Sequence, residues 1–210
     1  MNREEIWAAI QAERYGLADL LDALSDDEWE RPSLCAGWRV RDVAAHLALG
    51  PTISNGRALV ELVRARGSFD RMIHDTAVRH ARTPAAEIVE QIRASAVSRR
   101  LAPGTKPLDP LFDALVHGQD IAVPLGIERV MPLEAARTAA GHIWNRGFPF
   151  FAQRRLRGLR LVATDVDWSV GEGDVVEGPI QALLLLVAAR PAALPGLGGA
   201  GAAALPARLS

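Results

Sequence analysis

Cysteine is nearly missing from this chain: Cys35 stands alone among 210 residues. A single thiol closes no internal disulfide and has no CxxC partner, so a reducing compartment fits. Lysine is as scarce, Lys106 being the only one among 24 Lys and Arg. With the abundant Ala and Gly, that arginine bias reads as a coding preference rather than an anion-binding device. Charge of one sign is not in excess: the formal net charge is -1, which gives no reason to expect a nucleic-acid or membrane-surface partner. Long hydrophobic runs are missing too. The longest, Ile180 to Ala189, is about ten residues against the roughly 20 that span a bilayer. The opening MNREEIWAAI is acidic where a signal peptide is basic, so a soluble, cytoplasmic protein is expected. There is no P-loop, GxSxG or HExxH, and no internal repeat. Gly196 to Gly201 formally fits GxGxxG, but it follows a helix and leaves no room for a βαβ unit.

What remains is 49% hydrophobic, enough for a core in one domain or two small ones. Apolar residues recur at three- and four-residue steps over 3–24. Ser25 and Glu28 have capping-box spacing before Trp29. A helix begins after Gly37 at Trp38, with Val40, Val43, Ala44 and Leu47 on one face, and a continuation from Ser54 to Arg66. Residues 68–82 read as loop with a short helix. Thr83-Pro84 opens a helix to about Leu101. Another runs from Asp109 or Pro110 to Val123, before Pro124, and a further one from Leu133 to about Phe151. Four long helices by residue 125 suggest a bundle. LRLVATDVDWSV and VVEG, separated by GEGD, read as a β-hairpin. Pro179 starts a last apolar helix, and the Gly/Ala-rich tail has at most one helical turn. The expected domains are 1–127, a helical bundle, and 128–210, a small α+β region.

Asp113, His117 and Asp120 are spaced by four and three residues, so a helix places them within one arc. Carboxylate and imidazole four apart can share one divalent ion, and Asp120 could instead accept a hydrogen bond from His117. Spacing alone favours an ordinary solvated face. His46, on the flank of the Trp38 helix, is by itself a surface or hydrogen-bonded histidine, with Asp42 one turn before it. Asp42 pairs with Arg39 or Arg41, or fixes the His46 tautomer. His74 and His80 have no ligand-like spacing. Cys35 reads as a small buried residue. Trp38 and Trp168 read as core, either of them able to wall a pocket.

RPSLCAGWRVRDVAAHL, DALVHGQDIAVPLG and VDWSVGEGDVVEGPIQALLLLVAAR together resemble the blocks of the mycothiol-dependent maleylpyruvate isomerase family, within the DinB-like superfamily. The resemblance implies a mainly α fold, a DinB-like four-helix bundle followed by a small α+β C-terminal region. It implies a metal site whose ligands fall on His46, Asp113 and His117; on spacing, Asp42 and Asp120 would stand behind them. The isomerase has Glu at the position of Asp113, one methylene longer. The apolar helix ends in Ala189-Arg190 where the family has Gly-Arg, and Arg190 is the candidate for holding an anionic group on substrate or thiol.

The implied cofactors are a divalent metal ion, zinc by donor type, and mycothiol. The implied function is that of an isomerase or S-transferase that activates the mycothiol thiolate for addition to an electrophilic small molecule. The partners are a small-molecule substrate and a low-molecular-weight thiol, with no nucleic acid and no membrane. Apolar bundle faces would permit a homodimer. The alternatives are a non-catalytic metal- or small-ligand-binding bundle, and a bundle without metal.

Overall fold

Local side-chain caps start the first helices. In the structure, a computed structural model that describes residues 1–209, Asn2 accepts from the N–H groups of Glu4 and Glu5, and Glu5 returns to the Asn2 N–H. This capping box opens α1 (Arg3–Asp22), whose Ile6, Ile10, Leu17 and Leu21 are buried on one face. Ser25 and Glu28 repeat the device at α2 (Asp26–Trp29). The next helix, α3 (Val40–Leu49), starts at Val40 rather than Trp38. Asp42 accepts the Arg39 N–H at 2.9 Å and so makes Arg39 the cap.

Ser54 caps α4 (Asn55–Arg64) as a separate helix. The stretch read as mostly loop is a full helix, α5 (Phe69–His80). Ser68 caps it, Asp70 lies in its first turn and Arg79 and His80 in its last. That charge order suits the helix dipole and outweighs the thin apolar pattern. The next helix, α6 (Ala85–Ser95), is shorter than expected, and Pro84, not Thr83, takes the cap position. The one after it, α7 (Asp109–Leu125), continues through Pro124 to a left-handed Gly126. Proline cannot donate to the carbonyl four residues back. That carbonyl, of Asp120, accepts the Leu34 N–H at 3.0 Å instead. The freed acceptor thus ties the loop carrying Cys35 to α7.

Two units divide the described chain, one of Asn2–Arg129 and one from Val130 on. In the first, α1 packs on α6 and α7, and α3 packs on the same two, closing a four-helix ring in the order α1–α6–α3–α7. Its core includes Leu21, Val40, Val43, Ala44, Ile88, Ile92 and Ile121, each at most 2% exposed. Burying such a side chain stabilises by about 2 kcal/mol before entropy is counted. Arg129, bonded to Glu13 of α1, closes the unit.

In the second unit α8 (Leu133–Trp144) stops short of Phe151, and a brief α9 (Ala152–Arg155) follows. The strands are β1 (Leu159–Ala163), β2 (Ser169–Gly171) and β3 (Asp174–Gly178). Only β1 and β2 form a hairpin. The chain then crosses the start of β1, so β3 pairs parallel to β1 on its other side, giving the order β2–β1–β3. Gly173 makes the crossing: its φ is +117°, and a Cβ there would lie 2.1 Å from the Gly158 carbonyl oxygen. The apolar α10 (Ile180–Val187) packs on α8. The tail forms two short 3-10 turns and α11 (Leu205–Leu209). Among the described residues no helix is long and apolar enough to cross a membrane.

Candidate metal centre

The ring order of the bundle makes α3 and α7 neighbours. The inner edges of these two helices carry the ionisable residues. On α7, Phe112, Leu115 and Val116 are buried, and Asp120 is fully buried at 0% exposure. A solvated polar face is therefore excluded for that stripe. Asp113 and His117, one turn apart, are half-buried, as is His46 on α3.

One ligand atom from each of His46, Asp113 and His117 lies within 4.8 Å of the other two. The rings of His46 and His117 are 5.0 Å apart, edge to face at 79°. Trp38, 8% exposed, covers them with its ring 5.5 Å from His46 and 6.4 Å from His117. It is both core and wall. Burial, and then the neighbouring His117, push His46 down to about 3, so its imidazole is neutral at physiological pH. Burial also opposes charge on His117. Its bonds to Asp120 and Cys35 outweigh that and hold it up at about 10. Nδ1 of His117 lies 2.8 Å from Oδ2 of Asp120. That contact occupies Nδ1 and leaves Nε2 as the ring's other ligand atom. Among the described residues neither ring nitrogen of His46 takes a hydrogen bond.

Residues 10–110 match the sequence model described as the mycothiol maleylpyruvate isomerase N-terminal domain. That match includes His46 and ends before Asp113. Two crystal structures share the fold. One is of a histidine-to-alanine mutant of the mycothiol-dependent maleylpyruvate isomerase, with a TM-score of 0.67 and 14% identity, over 96% of this chain and 94% of that one. The other is of the mycothiol-dependent maleylpyruvate isomerase, with a TM-score of 0.63 and 14% identity over the same shares. At that identity the likeness establishes the DinB-like fold and nothing finer. No curated protein compared with the chain matches it.

The remaining expected residues have distinct surroundings. Asp120 contacts His117, as its spacing suggests. Asp42 does not contact His46. Its two oxygens bond the Arg39 Nε and Nη2 at 2.9 and 3.0 Å, because capping α3 turns its carboxylate towards the start of the helix. Burial alone would raise the Asp42 carboxyl, but the Arg39 bonds hold it below its usual 3.8. Arg190 lies in the second unit just after α10, where its Nη1 donates to the Ala188 carbonyl at 2.9 Å.

Two further residues stand by the centre that the sequence reading did not place there. Cys35 Sγ lies 3.7 Å from His117 Nδ1 and donates to Asp120 Oδ2 at 3.0 Å. The signal was Pro124, which frees the Asp120 carbonyl for Leu34. Arg14 of α1, 8% exposed, donates to the carbonyls of Ser95 and Ser98. Burial lowers its pKa, and the nearby charge of Asp113 works against that.

Proposed function

We propose that the protein is a metal-dependent enzyme that uses mycothiol, with His46, Asp113 and His117 holding a divalent ion, zinc by donor type. The observation that carries this reading is the approach of those three ligand atoms to within 4.8 Å. Donors around a tetrahedral zinc stand roughly 3.4 Å apart for bonds near ~2.1 Å, a separation side-chain torsions can reach. His46 fits the role because it is neutral and, among the described residues, has no competing hydrogen bond. His117 fits because Asp120 fixes its ring, as carboxylates do behind metal-bound histidines.

When bound, the ion supplies a Lewis acid that favours thiolate over thiol. The chain contributes the rest. Asp120 orients the His117 ring, and Trp38 keeps water from one side of the imidazole pair. With a double bond beside a carbonyl as substrate, a carbon–sulfur bond forms as the double bond becomes single. Rotation and loss of the same thiolate give cis–trans isomerisation. Capture of a proton before loss gives an S-conjugate.

The test combines metal analysis of the purified protein with mycothiol assays on maleylpyruvate and a panel of electrophiles. The reading expects about one ion per chain at this centre, lost in His46→Ala and His117→Ala, and turnover of at least one substrate. Full metal occupancy with no turnover on the panel would favour a binding protein instead. Absence of stoichiometric metal after reconstitution would overturn the reading.

A further inference from the structure

We propose that Cys35, His117 and Asp120 form a second cation site, reached through Nδ1 of His117, which takes a thiophilic divalent ion such as zinc or cobalt. The three donors lie within 4.8 Å of one another. Thiolate, imidazole and carboxylate together are a zinc-type set, one that magnesium or calcium would not select. The site shares His117 with the proposed catalytic centre but uses the other edge of its ring, and adds a sulfur the first set lacks.

The distances suit this. Around a tetrahedral zinc, a sulfur at ~2.3 Å and a nitrogen at ~2.1 Å stand roughly 3.6 Å apart. Cys35 Sγ and His117 Nδ1 are 3.7 Å apart. The two contacts to Asp120 Oδ2, at 3.0 and 2.8 Å, are shorter, as expected where protons bridge the donors. An ion replacing those protons needs the carboxylate to withdraw by about half an ångström. The thiol proton and the Nδ1 proton pass to solvent as the metal–sulfur and metal–nitrogen bonds form. An ion on Nε2 as well would require the second ring proton to leave too, as an imidazolate bridge.

The backbone holds this arrangement in place independently of any ion. Leu34 N–H bonds the Asp120 carbonyl at 3.0 Å, and the Cys35 carbonyl accepts the Trp38 N–H at 3.0 Å. The Cys35 N–H bonds Ser33 Oγ at 3.1 Å. The loop and α7 are thus fixed on both sides of the three donors, and Asp120 is fully buried.

Cobalt titration of the metal-free, full-length protein in thiol-free buffer tests the proposal. Because Cys35 is the only cysteine, any sulfur-to-cobalt charge-transfer band comes from it alone. The expected result is that band together with visible d–d bands. Cys35→Ser, with Cys35→Ala as a second variant, should remove the charge-transfer band and keep d–d bands from the His46 centre. His46→Ala should keep the charge-transfer band. Circular dichroism and melting confirm that each variant is folded. Wild-type d–d bands without charge transfer overturn this proposal and leave the His46 centre standing. Charge transfer that vanishes in His46→Ala also overturns it, since Cys35 would then be a further ligand to a single ion. No cobalt spectrum at all overturns both readings.

Discussion

His117 Nδ1 and Asp120 Oδ2 are 2.8 Å apart inside the bundle, with the carboxylate fully buried. The contact sets the ring plane and leaves Nε2 for the His46 side. Removing the charge should therefore weaken metal binding without removing a ligand of that centre. Asp120→Asn is expected to lower affinity by roughly 10- to 100-fold, read by competition with a chromophoric chelator. Asp120→Ala should add a folding cost of about 1–3 kcal/mol, because His117 and Cys35 lose a buried acceptor. Unchanged affinity in a folded Asp120→Asn protein would contradict the role given to this pair.

The two imidazoles titrate in opposite directions, and that fixes the proton count of metal uptake. In the metal-free protein His46 is pushed down to about 3 and His117 held up at about 10. At pH 7 His46 has no proton to lose and His117 has one in excess. Binding at Nε2 should then release about one proton, and apparent affinity should rise about tenfold per pH unit until His117 titrates. Calorimetry in buffers of different ionisation enthalpy measures the count, with Cys35→Ser used so that the thiol does not contribute. The sign for folding follows as well. A raised histidine pKa stabilises the metal-free fold fully below the usual 6.5, and that contribution is lost as pH rises through about 10. Release of two protons at pH 7 would refute the assignment.

Asp42 is predicted to matter for folding and not for the metal. Its carboxylate, 2% exposed, caps α3 and bonds Arg39 through both oxygens. Asp42→Asn should cost about 1–2 kcal/mol in urea unfolding and leave metal affinity unchanged. Because the folded pKa lies below the usual 3.8, this contribution is present above that value and lost as pH falls beneath it. A tenfold drop in metal affinity would restore Asp42 as a partner of His46.

The sequence makes the bundle legible wherever an apolar face repeats at helical spacing, as along Ile6, Ile10, Leu17 and Leu21, and wherever a cap is local, as at Ser25. It under-reads α5, where charges dominate and the helix rests on caps and dipole rather than on a wide apolar face. The crossing before β3 is also hidden. A Gly-rich turn between two strands predicts a hairpin, and only the close pass of Gly173 over Gly158 shows the chain moving to the other side of β1. At the centre, the i, i+4 spacing of Asp113 and His117 is readable, but its inward orientation is not. A polar stripe looks the same whether it faces solvent or the bundle interior. The place of Cys35 depends on a long-range bond, from Leu34 to the carbonyl that Pro124 leaves without a helical donor, so its one sequence signal lies far along the chain from Cys35 itself.

Asp113 separates charge from reach. Its carboxylate already brings an oxygen within 4.8 Å of both histidine ligand atoms. Asp113→Asn keeps the length and removes the charge, and should weaken zinc by at least about tenfold, roughly 1.4 kcal/mol. Asp113→Glu keeps the charge and should stay within about tenfold of the parent protein, because a longer side chain can fold back while an amide cannot regain its charge. A structural loss can be told apart from lost ligation. Asp113 also offsets the buried charge of Arg14, so Asp113→Asn should be less stable than the parent protein even with excess chelator, and Asp113→Glu much less so. Equal zinc affinity in all three proteins would remove Asp113 from the ligand set and leave it as the countercharge of Arg14.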